Sequence, residues 1–125
     1  MVKENKKVLV VDDEPNTLIM LTKRLSSGGY DVVTAKNGEE ALSKAESAKP
    51  GLILLDIMMP TISGIEALHL LKEGEKTKDI PVIALTALST REDELRALAA
   101  GAVSYITKPY DGEELLAAVK KYIRS

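Results

Sequence analysis

The sequence predicts an α/β fold, a five-stranded parallel sheet with helices on both faces, and three observations predict it. Short apolar runs alternate five times with longer stretches whose apolar residues recur at helical spacing. The runs are apolar at consecutive positions rather than at every second one, as a strand requires when both its faces are covered. The length of 125 residues suits one domain, for which about 100–150 residues is usual, and lets roughly two-thirds of the unfolded surface be buried. Alternation of this kind implies right-handed crossovers and a doubly wound (βα)5 arrangement. A single domain over 1–125, with its core at about 7–124, is the expected organisation.

Val8-Leu9-Val10-Val11 is a β-branched run and the first strand. Asp13–Ser27 follows as a helix, with Pro15 near its start and Leu18, Leu21, Thr22 and Leu25 along one face. Gly28-Gly29 stops it. Tyr30–Thr34 reads as the second strand. Gly38–Ala48 reads as the second helix, with Ala41, Leu42, Ala45 and Ala48 on its apolar side and Pro50-Gly51 as its stop. Leu52-Ile53-Leu54-Leu55 is the third strand, closed by Asp56. A loop with Pro60 leads to a third helix from about Ser63 to Lys72. Ile80–Leu85 is the fourth strand, with Pro81 at its start, where a missing N–H is tolerated. Ser89-Thr90-Arg91-Glu92 opens a fourth helix that runs to Gly101, and Ala102–Ile106 is the fifth strand. Asp111–Arg124 is the last helix, with Leu115, Val119 and Ile123 four residues apart. No repeat, low-complexity tract or linker interrupts the pattern.

Composition removes whole classes of function. With 17 Lys+Arg against 19 Asp+Glu, the formal net charge is −2, unlike the distinctly basic balance of a dedicated nucleic-acid binder. The absence of Cys rules out a disulfide scaffold, a Cys-based zinc site and a thiol nucleophile. A single His, His69, rules out a multi-His metal cage and reads as a surface residue of the third helix. No apolar run nears the ~20 residues of a membrane span. The polar, basic start Met1–Lys7 is no signal peptide. No membrane contact and a cytoplasmic setting are therefore expected.

In doubly wound sheets, ligands bind at the carboxyl ends of the strands. Strand one ends in Asp12-Asp13, strand three in Asp56, strand four in Leu85-Thr86, and strand five leads to Lys108-Pro109. Each has an ordinary alternative: Asp13 as a helix cap, Thr86 as a strand-end hydroxyl, Lys108 as a turn lysine. Their conjunction on one edge is what points to chemistry. Three close carboxylates repel one another, and a hard divalent cation such as Mg²⁺, which takes oxygen ligands and keeps several waters, relieves that repulsion. A carboxylate beside such an ion and an ammonium is suited to attack phosphorus, because aspartyl phosphates are a known covalent form and phosphoryl transfer depends mainly on positioning and charge neutralisation.

The order of Val10-Val11-Asp12-Asp13-Glu14, Leu54-Leu55-Asp56-Ile57-Met58-Met59-Pro60, Gly64, Leu85-Thr86-Ala87 and Lys108-Pro109 resembles the receiver domain of two-component response regulators, of the chemotaxis-type single-domain kind. The resemblance runs from about Lys7 to Ile123. It implies a flavodoxin-like sheet of order 2-1-3-4-5. It implies that Asp56 accepts a phosphoryl group from the phosphohistidine of a histidine kinase or histidine phosphotransfer domain. Asp13, Asp56 and the Met58 carbonyl then ligate Mg²⁺, with Asp12 acting through water. Lys108 pairs with Asp56 and later with a phosphoryl oxygen, in front of a cis Lys108–Pro109 bond. Thr86 swings toward the phosphate, and Tyr105 follows from outward to inward. Output runs through the fourth helix, fifth strand and fifth helix to a protein partner. The only catalysis implied is of the domain's own phosphorylation and dephosphorylation.

Departures from the family's common pattern are small. Gly51 and Ser63 stand where the family often has Asp, Tyr110 replaces the usual Phe, and Gly64 reads as a backbone requirement. Met58 and Leu88 lie two positions past Asp56 and Thr86, where the family tunes water access; both are apolar, so slow self-dephosphorylation is expected. Tyr105 taken alone reads as a half-buried packing aromatic. Three other functions fit less well. A haloacid-dehalogenase-like phosphatase wants an Asp where Met58 stands, a flavin binder would meet repulsion between its phosphate and Asp12 and Asp13, and a receiver fold without phosphorylation requires loss of a site residue. No DNA-binding or enzymatic domain is read beyond the fifth helix, which leaves a stand-alone regulator, a relay intermediate and part of a longer protein all open.

Overall fold

The computed structural model describes residues 5–57, 64–86, 91–107 and 111–123. Strand and helix alternate along them: β1 (Lys7–Val11), α1 (Pro15–Ser27), β2 (Asp31–Ala35), α2 (Gly38–Ala48), β3 (Leu52–Asp56), α3 (Gly64–Glu73), β4 (Val82–Thr86), α4 (Arg91–Ala99), β5 (Ser104–Thr107) and α5 (Gly112–Tyr122). All strand pairs are parallel, in the order β2-β1-β3-β4-β5. The order reverses at β1 and β3, which places the switch point of the sheet between Asp12 and Asp56.

Side-chain alternation along each strand divides the core in two. Leu9, Val11, Ile53, Leu55, Val82 and Ala84 face one layer with Ala41 and Ala45 of α2, Ala67, Leu68 and Leu71 of α3, and Ala97 of α4. Val8, Val10, Leu52, Leu54, Ile83, Leu85 and Ile106 face the other, with Leu21 and Leu25 of α1 and Leu115 and Val119 of α5. β1, β3 and β4 carry apolar residues on both faces because both faces are covered, and these are the runs the sequence makes conspicuous.

Element ends differ from the sequence expectation by one or two residues, each for a local reason. Pro15 opens α1 as its first helical residue, so the cap falls on Glu14 rather than Asp13; its side chain accepts the Asn16 N–H at 3.3 Å. α1 and α4 each end in a six-to-one backbone hydrogen bond, Tyr30 N–H to Leu25 O and Ala102 N–H to Ala97 O. Gly29 and Gly101 sit in these turns at φ 93° and 116°. That turn stops α4 at Ala99, short of the expected Gly101, and delays β5 to Ser104. Pro81 has no N–H to donate, so β4 begins at Val82, although the Pro81 carbonyl still accepts from Ile53 at 3.0 Å. α2 starts on Asn37, which caps Glu40 N–H at 2.8 Å while the Glu40 carboxylate accepts from Lys36 N–H at 3.1 Å.

Candidate functional site

Register explains how residues distant in sequence arrive on one edge. Val11 pairs with Leu55 and Asp56 pairs with Leu85. One step past Val11, the chain leaves the sheet at Asp12, level with Asp56; one step past Leu85 it reaches Thr86, which pairs with Thr107 of β5. Parallel pairing thus carries Asp12, Asp56 and Thr86 to the carboxyl edge. Lys108, Pro109 and Met58 themselves lie outside the described residues, as do Leu88 and Tyr110.

Asp12, Asp13 and Asp56 each bring a carboxylate oxygen within 4.8 Å of the others. Asp12 and Asp56 are buried, at 1% and 4% exposure, while Asp13 is exposed. The cluster is therefore walled on the sheet side and open to solvent on the other. One oxygen of Asp12 accepts the Glu14 N–H at 2.9 Å, which orients that carboxylate at the turn into α1. The turn after β3 is fixed by a close approach: Gly64, the first residue of α3, donates its N–H to Ile57 O at 3.2 Å. A Cβ at Gly64 would lie 2.0 Å from Ile57 Cα and 2.6 Å from Asp56 O. The backbone requirement expected at Gly64 is thus met, and it borders Asp56 directly.

Thr86 is buried at 1% exposure, and no buried side-chain polar atom among the described residues lacks a hydrogen-bond partner. Tyr105 is half-buried, with its ring against the core layer that holds Ala84 and Ala97. Hydrogen bonding to the Glu94 carboxylate of α4 first, then that carboxylate's charge and some loss of solvent, raise the phenol's pKa above its ordinary 10.0; Arg91 opposes them. Glu94 carried no signal in the sequence, being one acid among several on an exposed helix, and Glu14 as the cap of α1 was equally unannounced. His69 is exposed, as expected.

Three carboxylates and nothing softer form a donor set that fits a hard cation such as Mg²⁺. A groove of about 370 Å³ lies elsewhere, between α1 and α5, lined by residues such as Met20, Arg24 and Leu115. It includes none of the candidate site residues.

The family model of the response regulator receiver domain matches residues 8–120. The chain belongs to this family. Phosphorylation-activated two-component signalling is the known role of the receiver domain, a phosphoryl-accepting signalling module. Among curated relatives, the receiver chain is 45% identical over 120 residues to the alkaline phosphatase synthesis transcriptional regulatory protein PhoP of Bacillus subtilis, covering 96% of this chain and 49% of that protein. It spans about half the length of the curated relatives it matches. Among solved structures, the chemotaxis protein CheY4 of Vibrio cholerae superposes with a TM-score of 0.90 at 33% identity, over 95% of this chain and 99% of that one. The response regulator TrrA of Thermotoga maritima, solved in complex with Mg²⁺–BeF, gives 0.84 at 43% identity, over 94% and 99%. Among the described residues, no helix is long and apolar enough to cross a membrane.

Proposed function

We propose that this receiver is a switch thrown by phosphorylation of Asp56, with a sensor histidine kinase or a histidine phosphotransfer domain as donor. The observation that supports it is the cluster of Asp12, Asp13 and Asp56 within 4.8 Å, with two of the three buried and Thr86 on the neighbouring strand. An Asp56 carboxylate oxygen forms a bond to phosphorus as the phosphorus–nitrogen bond of the donor imidazole breaks. The freed imidazole nitrogen keeps the electron pair and takes up a proton. In a separate step, water attacks the phosphorus of the acyl phosphate, the bond to the Asp56 oxygen breaks, and inorganic phosphate leaves with the carboxylate restored. The domain catalyses both steps on itself and transforms no separate substrate.

Asp13, Asp56 and the Met58 carbonyl would hold Mg²⁺, with Asp12 behind them through water. When bound, the ion supplies charge neutralisation for the carboxylates and the phosphoryl oxygens. Asp12, fixed by the Glu14 N–H, keeps its oxygens aimed at that position. Lys108, one residue past the Thr86–Thr107 pair, neutralises a phosphoryl oxygen. The Thr86 hydroxyl donates to another, and Tyr105 moves inward behind it. The partner-facing surface is that of α4, β5 and α5. Near-neutral charge favours protein over nucleic acid as the contact of this unit, in a cytoplasmic setting. The apolar Met58 and Leu88 leave no group to orient a hydrolytic water, so the phosphorylated form is long-lived.

Beryllofluoride with Mg²⁺, which mimics an acyl phosphate, tests the reading by amide NMR. The expected result is saturable shifts at Asp56, Thr86 and Tyr105 that a chelator reverses. Spectra unchanged by the two reagents together would overturn it.

A further inference from the structure

We infer that the outer edge of β2 is a strand-pairing surface for a second copy of this chain, and that two side chains of α2, Glu40 and above all Lys44, hold it shut. The inference concerns a different edge of the sheet from the phosphoacceptor and stands apart from that reading.

β2 ends the sheet, and among the described residues no strand lies beyond it. Backbone groups of a strand point alternately to its two sides. Asp31 N–H reaches Lys6 O at 2.9 Å and Ala35 O receives the Asp12 N–H at 3.1 Å, so Asp31, Val33 and Ala35 turn their backbone groups toward β1. Val32 and Thr34 therefore turn theirs away from the sheet. Left open, such a row is a template for another strand. Here α2 covers it. Lys44 Nζ donates to Thr34 O at 2.5 Å, and the Glu40 carboxylate accepts the Lys36 N–H at 3.1 Å, just past the end of β2. The two caps stand four residues apart and so share one side of the helix. Lys44 is half-buried and adjoins Ala45, a fully buried residue of the core layer between α2 and the sheet.

A second copy fits this edge because the edge matches itself. Antiparallel pairing about a two-fold axis at Val33 sets Val32 of each copy opposite Thr34 of the other, and each such pair exchanges N–H···O bonds in both directions. Half of those bonds accept at Thr34 O, the oxygen that Lys44 holds, and the ammonium stands where the incoming N–H would lie. The same register brings the exposed Asp31 of one copy opposite Ala35 of the other, beside the exposed cation of Lys36. Opposite charges thus meet at both ends of the ladder. Removing the Lys44 donor uncovers the acceptor and lets the ladder form.

The test combines sedimentation of the unphosphorylated protein with amide hydrogen exchange at Val32 and Thr34. In the wild type both outward amides are expected to exchange fast. Lys44→Met keeps an apolar stem but has no N–H to give; it is expected to dimerise, with both amides exchanging about tenfold slower once about nine-tenths of the chains are paired. Lys44→Arg keeps a donor and behaves as the wild type. Adding Val32→Pro to Lys44→Met removes an N–H that the native sheet does not use, which an edge strand tolerates, and restores the monomer. Lys44→Ala is measured in parallel, in case Lys44→Met does not fold. Lysine-free variants that stay monomeric with both amides fast would overturn the inference. So would a dimer that leaves those amides fast, or a wild type in which pairing already protects them.

Discussion

At the scale of single residues, the site depends on a few close approaches that leave no slack. Gly64 is the clearest. A methyl group there meets the backbone of Ile57 and Asp56 at 2.0 and 2.6 Å, so the backbone itself must shift. Gly64→Ala is expected to lower stability by about 1–3 kcal/mol, read as the urea midpoint, and to displace the amide signal of Asp56. Tyr105 gives a pH prediction. Its folded-state pKa is raised, so the folded protein holds this proton more tightly than the unfolded chain does. The contribution is complete below the ordinary phenol value and is lost as pH climbs through the folded one. A ¹³Cζ titration should find Tyr105 ionising above the usual tyrosine range, and Glu94→Ala should return it there. These contacts explain what the sequence could and could not reveal. The Asp and Thr residues were legible because strand ends collect chemistry in a sheet of this kind. Glu94 was not, because nothing in a helix sequence tells which of its acids acts on a phenol of another element.

The elements differ in how firmly they are held. α1 and α5 bury Leu21, Leu25, Leu115 and Val119, and α3 buries Ala67, Leu68 and Leu71, while α4 commits only Ala97 among its described side chains. Native-state hydrogen exchange should therefore rank α4 as the least protected helix, with amides of α1 and α5 exchanging near the global rate. Equal protection of α4 and α1 would contradict this ordering. A second contrast lies at the far end of α3. Lys72 donates to Ile80 O at 2.7 Å and Lys78 O at 3.2 Å, and its stem passes over Gly101. Burial lowers its pKa below the ordinary 10.5, with Asp79 partly offsetting it. Its linkage has the opposite sign from that of Tyr105: the cost of holding the charge is present at neutral pH and lifts as pH rises from the lowered value toward 10.5. Lys72→Ala leaves two carbonyls without that donor and should cost about 1 kcal/mol by denaturant unfolding. Strand and helix identities were all legible from period and composition, and the strand order followed from the resemblance. The ends were not, because Pro81, Gly101 and Pro15 act through hydrogen bonds that depend on neighbouring chain segments.

For the whole molecule, the parallel sheet turns a sequence scattered over about a hundred positions into one edge, because each strand delivers its last residue level with the next. Near-neutral net charge conceals this, since the three acids at the edge are balanced by cations elsewhere. A ligand that binds only the folded edge must also stabilise the whole fold by mass action. Beryllofluoride with Mg²⁺ at a hundred times its dissociation constant should therefore add about 2.7 kcal/mol to unfolding, and neither reagent alone should approach that. The identity of the phosphoacceptor is read most directly by intact-mass spectrometry after incubation with phosphoramidate. The expected result is one phosphoryl group on the wild type with Mg²⁺, none with a chelator, and none on Asp56→Asn under either condition. Undiminished labelling of Asp56→Asn, or of the wild type without the metal, would contradict it.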